Sequence, residues 1–321
     1  MKVKVDVDYT DLILQYKGKH PDLSQTRLAQ LIAKEQKLNV GWDYFRKIIS
    51  DVLTPKTQNF NFTQDDFKIP ESYYEDYPDF VIPKSVNNFG IIGDIHIPYH
   101  DKFALKTSLE YLRDQHINGL LLNGDILDFC MLSRFSKSFS APKLYQEIEL
   151  GKQFFTLLRN IFPDIPIYFK LGNHEERLNI FICDKASVLE KIAGLEFRNL
   201  LELDKYRIEL IENQRTVVAG KLSILHGHEL KKGSGGVNIA RAVRLATLTS
   251  IFVGHWHRTQ DDFARSLDSK AQGGFACGCL CGLRPQWLPI NNWNHGFAVV
   301  KTETDGHFEV DNKKIIDGKI L

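Results

Sequence analysis

Apolar residues in the first fifth of the chain recur at helical spacing. Leu12, Ile13 and Tyr16 follow Tyr9 on one face. After a break at His20-Pro21-Asp22, Ser24 is placed to cap a helix carrying Leu28, Leu31 and Ile32. Leu38-Asn-Val-Gly41 reads as a turn, and Phe45, Ile48, Ile49 and Val52 mark a third helix. Three short helices with a tight second connection predict a helix-turn-helix-like domain over 1–58, whose last helix would offer Asp43, Arg46 and Lys47 to DNA. A small helical cap is the alternative, because the excess of basic residues is slight. Residues 59–88 hold several prolines, more acid than base and no period, and read as a linker.

From Phe89 the grammar becomes strand, helix, strand. Phe89–Ile92 is a short apolar run; Asp101 can cap a helix with Leu105, Leu109 and Leu112 on one face; Gly119–Asn123 is a buried strand. A longer helix carries Leu144, Ile148, Phe155 and Leu158, and Ile165–Leu171 is a third strand. Such alternation predicts a parallel sheet joined by crossovers. Beyond Lys205 come strands at Tyr206–Ile211, Leu222–Leu225 and Thr249–Val253, with a helix near Val237–Ala246. The tail adds Gly274–Leu280, Phe297–Val300 and His307–Val310, with Asp305-Gly306 as a hairpin signal. Residues 89–321 are therefore expected to form an α/β domain in which a second sheet packs on the first, a four-layer α/β/β/α sandwich.

Composition narrows the setting. Among 321 residues, 43% are hydrophobic and 25% charged, with a formal net charge of +1, so no global field points to nucleic acid or a membrane surface. The start carries charges where a signal peptide needs an apolar core, and no run is long enough to span a membrane. Five cysteines do not suit a disulfide framework. The expected compartment is the cytoplasm.

The chemistry gathers where strands are predicted to end. Asp94-x-His96, Gly124-Asp125-x-x-Asp128, Gly172-Asn173-His174-Glu175, His226-Gly and Gly254-His255-x-His257 follow in that order, and six of the 11 histidines lie inside these motifs or next to them. Pleat alternation would aim Asp94 and His96 to one side. Carboxylates and imidazoles at sheet edges suit a divalent metal better than a core.

This ordered series resembles the calcineurin-like metallophosphoesterases from Phe89 to the C-terminus. The resemblance implies that Asp94, His96 and His257 hold one ion, that Asn173, His226 and His255 hold a second, and that Asp125 bridges them. It implies a hydroxide between the ions, formed near neutral pH and attacking phosphorus in line. His174 would protonate the leaving oxygen, and Asp128 would hold its ring in the useful tautomer. This ligand set accepts Mn²⁺, the expected ion, or Fe, Zn or Ni.

Departures from relatives refine the expectation. Asp128 is followed by Phe129-Cys130 where phosphoprotein phosphatases continue with Arg-Gly, so their phosphate-clamping arginine is absent from its usual place. Arg134, Lys137 and Arg177 are candidate substitutes, His228 a further candidate substrate contact, and Lys231-Lys232-Gly-Ser-Gly-Gly236 is either an anion-binding loop or a flexible connection. Cys277-Gly-Cys-Leu-Cys281 places three thiols on one face of a strand, small buried residues beside the site. A helix-turn-helix-like unit before such a domain resembles proteins of bacterial viruses and mobile elements. A phosphodiesterase acting on DNA is the leading expectation, a small-substrate phosphatase the second, and a catalytically silent DNA-binding scaffold the third.

Overall fold

The computed structural model describes residues 8–38, 42–54, 69–134, 141–230, 236–267 and 269–321. The end of the predicted turn at 39–41, Lys137 and residues 231–235 of the glycine loop lie outside them, as does the side chain of Asp43. Two compact units divide the chain, Met1–Tyr74 and Glu75–Leu321.

The first unit holds α1 (Thr10–Lys19), α2 (Gln25–Glu35) and α3 (Trp42–Leu53). Ser24 caps α2, its Oγ accepting from the N–H of Arg27. Ile13, Leu28, Ile32, Phe45 and Ile49 are buried together in the unit's own core.

In the second unit β1 (Phe80–Val81) is followed by β2 (Asn88–Ile92), α4 (Lys102–Asp114), β3 (Gly119–Asn123), α5 (Leu144–Ile161) and β4 (Ile167–Lys170). Then come α6 (Glu176–Lys185), α7 (Phe197–Leu200), β5 (Ile208–Ile211), β6 (Val217–Ala219), β7 (Leu222–Ile224) and α8 (Ile239–Thr247). The unit closes with β8 (Ser250–Val253), β9 (Gln260–Arg265), β10 (Ala271–Ala276), β11 (His295–Thr302), β12 (Phe308–Ile316) and β13 (Lys319–Ile320). Among the described residues one sheet runs β13-β12-β11-β2-β3-β4-β5 and the other β1-β6-β7-β8-β10-β9.

The layering follows from the cores. Strands β2 to β5 pair in parallel and bury one face under α4 and α5, where Leu105, Leu109, Leu112, Phe155 and Leu158 meet Leu120, Leu122 and Phe169. The opposite faces, with Phe89, Ile91, Leu121 and Tyr168, meet Val217, Phe252 and Phe275 of the second sheet. Outside that sheet, Ile239, Ala240 and Val243 of α8 cover Ile251 and Val253. Helix, sheet, sheet, helix is the predicted order of layers.

Two expectations shift. The tail strands β11 and β12 do not join the second sheet; β11 pairs antiparallel with β2 and extends the first. Alternation records which face of a strand is buried, not which neighbour it finds. The stretch read as a linker contributes β1, which pairs with β6, and its Ile82 and Val86 are buried between the sheets. Two strand residues are too few to show a period.

Candidate metal centre and its cleft

The parallel strands β2, β3 and β4 stop at Ile92, Asn123 and Lys170, and each motif begins in the loop just beyond. Asp94, His96, Asp125, His255 and His257 have φ values of 50°, 51°, 52°, 66° and 59°. Aspartate and histidine tolerate this left-handed region better than most side chains, at a cost of about 1–3 kcal/mol each. These turns, and not pleat alternation, bring Asp94 and His96 together, because β2 has already ended. Two glycines are needed for the approach. A Cβ on Gly172 would strike Asp125, and one on Gly254 would come within 2.6 Å of Asp94 Oδ2.

The side chains converge in two sets. Asp94 Oδ1 lies 3.1 Å from His257 Nε2, which lies 3.3 Å from His96 Nε2. Asp125 Oδ2 lies 3.8 Å from His96 Nε2 and 3.3 Å from His226 Nε2, so one oxygen faces both sets. Asp94, His96 and Asp125 form one group of candidate ligands, and Asp125, His226 and His255 form another, with ligand atoms within 4.8 Å of one another.

The donor set fits cations. His226 Nδ1 lies 2.7 Å from the carbonyl of Asn123 and donates to it, leaving Nε2 as a lone pair aimed at the Asp125 carboxylate. His96 Nδ1 likewise lies 3.0 Å from Asp128 Oδ1, so its Nε2 is also free to ligate. His226 Nε2 and Asn173 Oδ1 are buried without hydrogen-bond partners. Protons and cations compete for these groups. Burial works against charge on His226 and His257, yet Asp125 and Asp94 raise them to about 10 each. Burial and the adjacent His226 hold His255 down to about 4. Cations would displace those protons, which makes affinity rise with pH.

His174 stands beside these groups. Its Nδ1 is 2.9 Å from the carbonyl of Asp128 and 3.1 Å from Asp128 Oδ1, and its Nε2 is 3.7 Å from Asp125 Oδ2. Asp128 therefore contacts two imidazoles, His174 and the candidate ligand His96, and resists burial enough to sit well below the usual carboxylate range. Burial disfavours charge on His174, but Asp125 and Asp128 raise its pKa above the ordinary value.

The substrate candidates fare differently. Arg177 donates to the Asp128 carbonyl at 2.7 Å and lies 3.0 Å from His174 Nε2, so it is engaged with the expected acid, His174. His228 sits between carboxylates, 3.2 Å from Glu176 and 3.5 Å from Glu229. Arg134 ends the described part of the loop after the second motif. The three cysteines are buried beside the site, as expected, but not on one strand face: Cys277 packs between the sheets, while the thiols of Cys279 and Cys281 contact each other and Cys281 lies 3.9 Å from His257 Nδ1. The strand stops at Ala276, so the alternation they were read from ends before them. All five are free thiols.

Supporting residues had no role assigned from the sequence: Glu175 closes the third motif without a ligand's place in it, and Glu229 and Lys170 lie outside the motifs. Glu175 is buried and accepts four backbone N–H groups, from Asp125, Ile126, Leu127 and Gly172, at 2.8–2.9 Å. Glu229 accepts from the N–H groups of His226 and Gly227 and pairs at 2.8 Å with fully buried Lys170. The centre opens into a cleft of about 760 Å³ whose lining includes Tyr99, Arg284, Trp287 and Trp293. None of these four stood out in the sequence, since they lie in loops without a ligand motif.

The chain belongs to the calcineurin-like phosphoesterase family, whose sequence model matches residues 88–259. It is thus a metal-dependent phosphoester hydrolase by family. The Gene 54 protein of Mycobacterium phage L5 is 25% identical over 247 residues, covering 71% of this chain and 94% of that protein. Its counterpart in Mycobacterium phage D29 is 26% identical, with the same coverage. Among solved structures, a Vps29 single mutant from Entamoeba histolytica is 14% identical with a TM-score of 0.40, covering 73% of this chain and 96% of that one.

Proposed function

We propose that the protein hydrolyses phosphodiester bonds with two divalent cations, Mn²⁺ foremost, held on either side of Asp125. The observation that carries this is the position of Asp125 Oδ2, within 3.8 Å of imidazoles from both ligand sets. Asp94, His96 and His257 would hold one ion, and Asn173, His226 and His255 the other. Bound there, the cations would neutralise phosphoryl oxygens and supply a strong nucleophile from water near neutral pH.

The chain's own residues do the rest. His174 faces the same carboxylate and delivers a proton to the leaving oxygen. Asp128 fixes the ring through Nδ1, and Nε2, which accepts from Arg177 at 3.0 Å, carries the transferable proton once the guanidinium turns to the phosphate. Arg177, in contact with His174 Nε2, sits where a departing oxygen's charge would develop. DNA contact through α3 belongs to the same reading: Arg46 and Lys47 are exposed on it.

Turnover of bis(p-nitrophenyl) phosphate with Mn²⁺ tests the proposal. His174→Ala should lower kcat by about 10²–10⁴-fold. Asp125→Asn should bring turnover to background. Absence of metal-dependent turnover in the wild type would sink the reading, and so would full activity in either variant.

A further inference from the structure

One wall of the cleft has no role in holding metal. The segment Gly282–Asn294 leaves the metal centre at Cys281 and returns to the sheet at His295. It is tied down at both ends, by Gly282 N–H to the Tyr99 carbonyl at 2.9 Å and by Asn294 N–H to the His257 carbonyl at 2.9 Å. Within it, the Asn291 side chain donates to the carbonyls of Leu283 and Leu288 at 2.7 and 2.9 Å. The loop is built, and what it displays is aromatic. The Trp293 ring lies 4.1 Å from that of His257, centre to centre, and Trp287 lies 5.6 Å from Trp293. Trp287 is 75% exposed. An indole so uncovered on the wall of a phosphoester cleft has a face available to a planar group. Arg284 lines the same cleft, with Asp125 and His174.

Resting on the phosphoesterase reading above, we propose that Trp287, backed by Trp293 and flanked by Arg284, is a nucleobase subsite, so that the phosphate hydrolysed belongs to a nucleotide. A base has the π-face that stacks on an indole, and a sugar or alkyl chain lacks it. Its attached phosphate reaches toward the metal centre, and the Arg284 guanidinium suits a neighbouring phosphate or the edge of the base.

Adenosine 5′-monophosphate and ribose 5-phosphate differ only in the base, and their competitive inhibition constants can be read from initial rates on bis(p-nitrophenyl) phosphate with Mn²⁺. The nucleotide should inhibit roughly tenfold more tightly, the range of one stacked base. That ratio should fall to about one in Trp287→Ala, with part of it kept in Trp287→Phe. In protein labelled with 5-fluorotryptophan, the ¹⁹F resonance that disappears in Trp287→Phe should shift with the nucleotide and stay put with ribose 5-phosphate. Equal inhibition by the two compounds in an active wild type overturns the base subsite and leaves the phosphoesterase standing. A preference that survives Trp287→Ala also overturns it. No turnover at all removes both readings together.

Discussion

Glu175 ends the Gly-Asn-His-Glu motif without joining either ligand set, yet its carboxylate receives four N–H groups from two loops. Burial and the charge of Asp125 raise its pKa, while the N–H donors stabilise its charged form. It fixes the backbone of Asp125 against Gly172, and with it the spacing of the two ligand sets. Glu175→Gln keeps one acceptor and turns the other into a donor facing two N–H groups. Each N–H left unsatisfied costs about 1–3 kcal/mol. Urea denaturation should show a loss of that order per lost bond, and an unchanged midpoint would refute the clamp. The candidate ligands were legible because metal chemistry restricts the residue types at short spacing. A clamp made of one carboxylate and main-chain N–H groups leaves no such pattern, since any sequence supplies the donors.

Helix α5 shows how an element serves the centre from outside it. Glu147 is fully buried on its inner face and accepts the N–H of Phe129, just after Asp128. Phe129 has a φ of 46°, so this bond holds an unfavourable turn in place. Burial pushes the Glu147 carboxyl from 4.5 up to about 8. The folded chain then keeps a proton that the unfolded chain releases, so this group's contribution is full below 4.5 and is lost as pH rises towards 8. Stability measured by urea melts between pH 5 and pH 9 should therefore fall less steeply in Glu147→Gln than in the wild type. Identical slopes would contradict it. The helices and strands around the site were legible from their periods: Ser24 and Asp101 cap the helices they were expected to cap, and β3 spans the residues read as a strand. Strand partners were not. β11 is buried along the successive residues 296–300, a run that reads the same whether it extends one sheet or builds the other, and only closure of the whole domain decides.

Across the whole molecule, the candidate centre is assembled from side chains far apart in sequence. Asp94 comes from the loop after β2 and His257 from the loop after β8, and their side chains meet at 3.1 Å. Lys170 and Glu229 add a buried ion pair between the end of β4 and the turn that carries His226. The helical unit of Met1–Tyr74 has its own core, and none of the proposed ligands lies in it. No described helix is long and apolar enough to cross a membrane. The aromatic wall of the cleft was invisible beforehand, because two tryptophans in a loop carry no spacing rule. Anomalous diffraction from crystals grown with Mn²⁺ tests the central claim most directly. Two peaks should bracket Asp125, one among Asp94, His96 and His257, the other among Asn173, His226 and His255. A single peak, or ions held at Cys281 or away from Asp125, would contradict it.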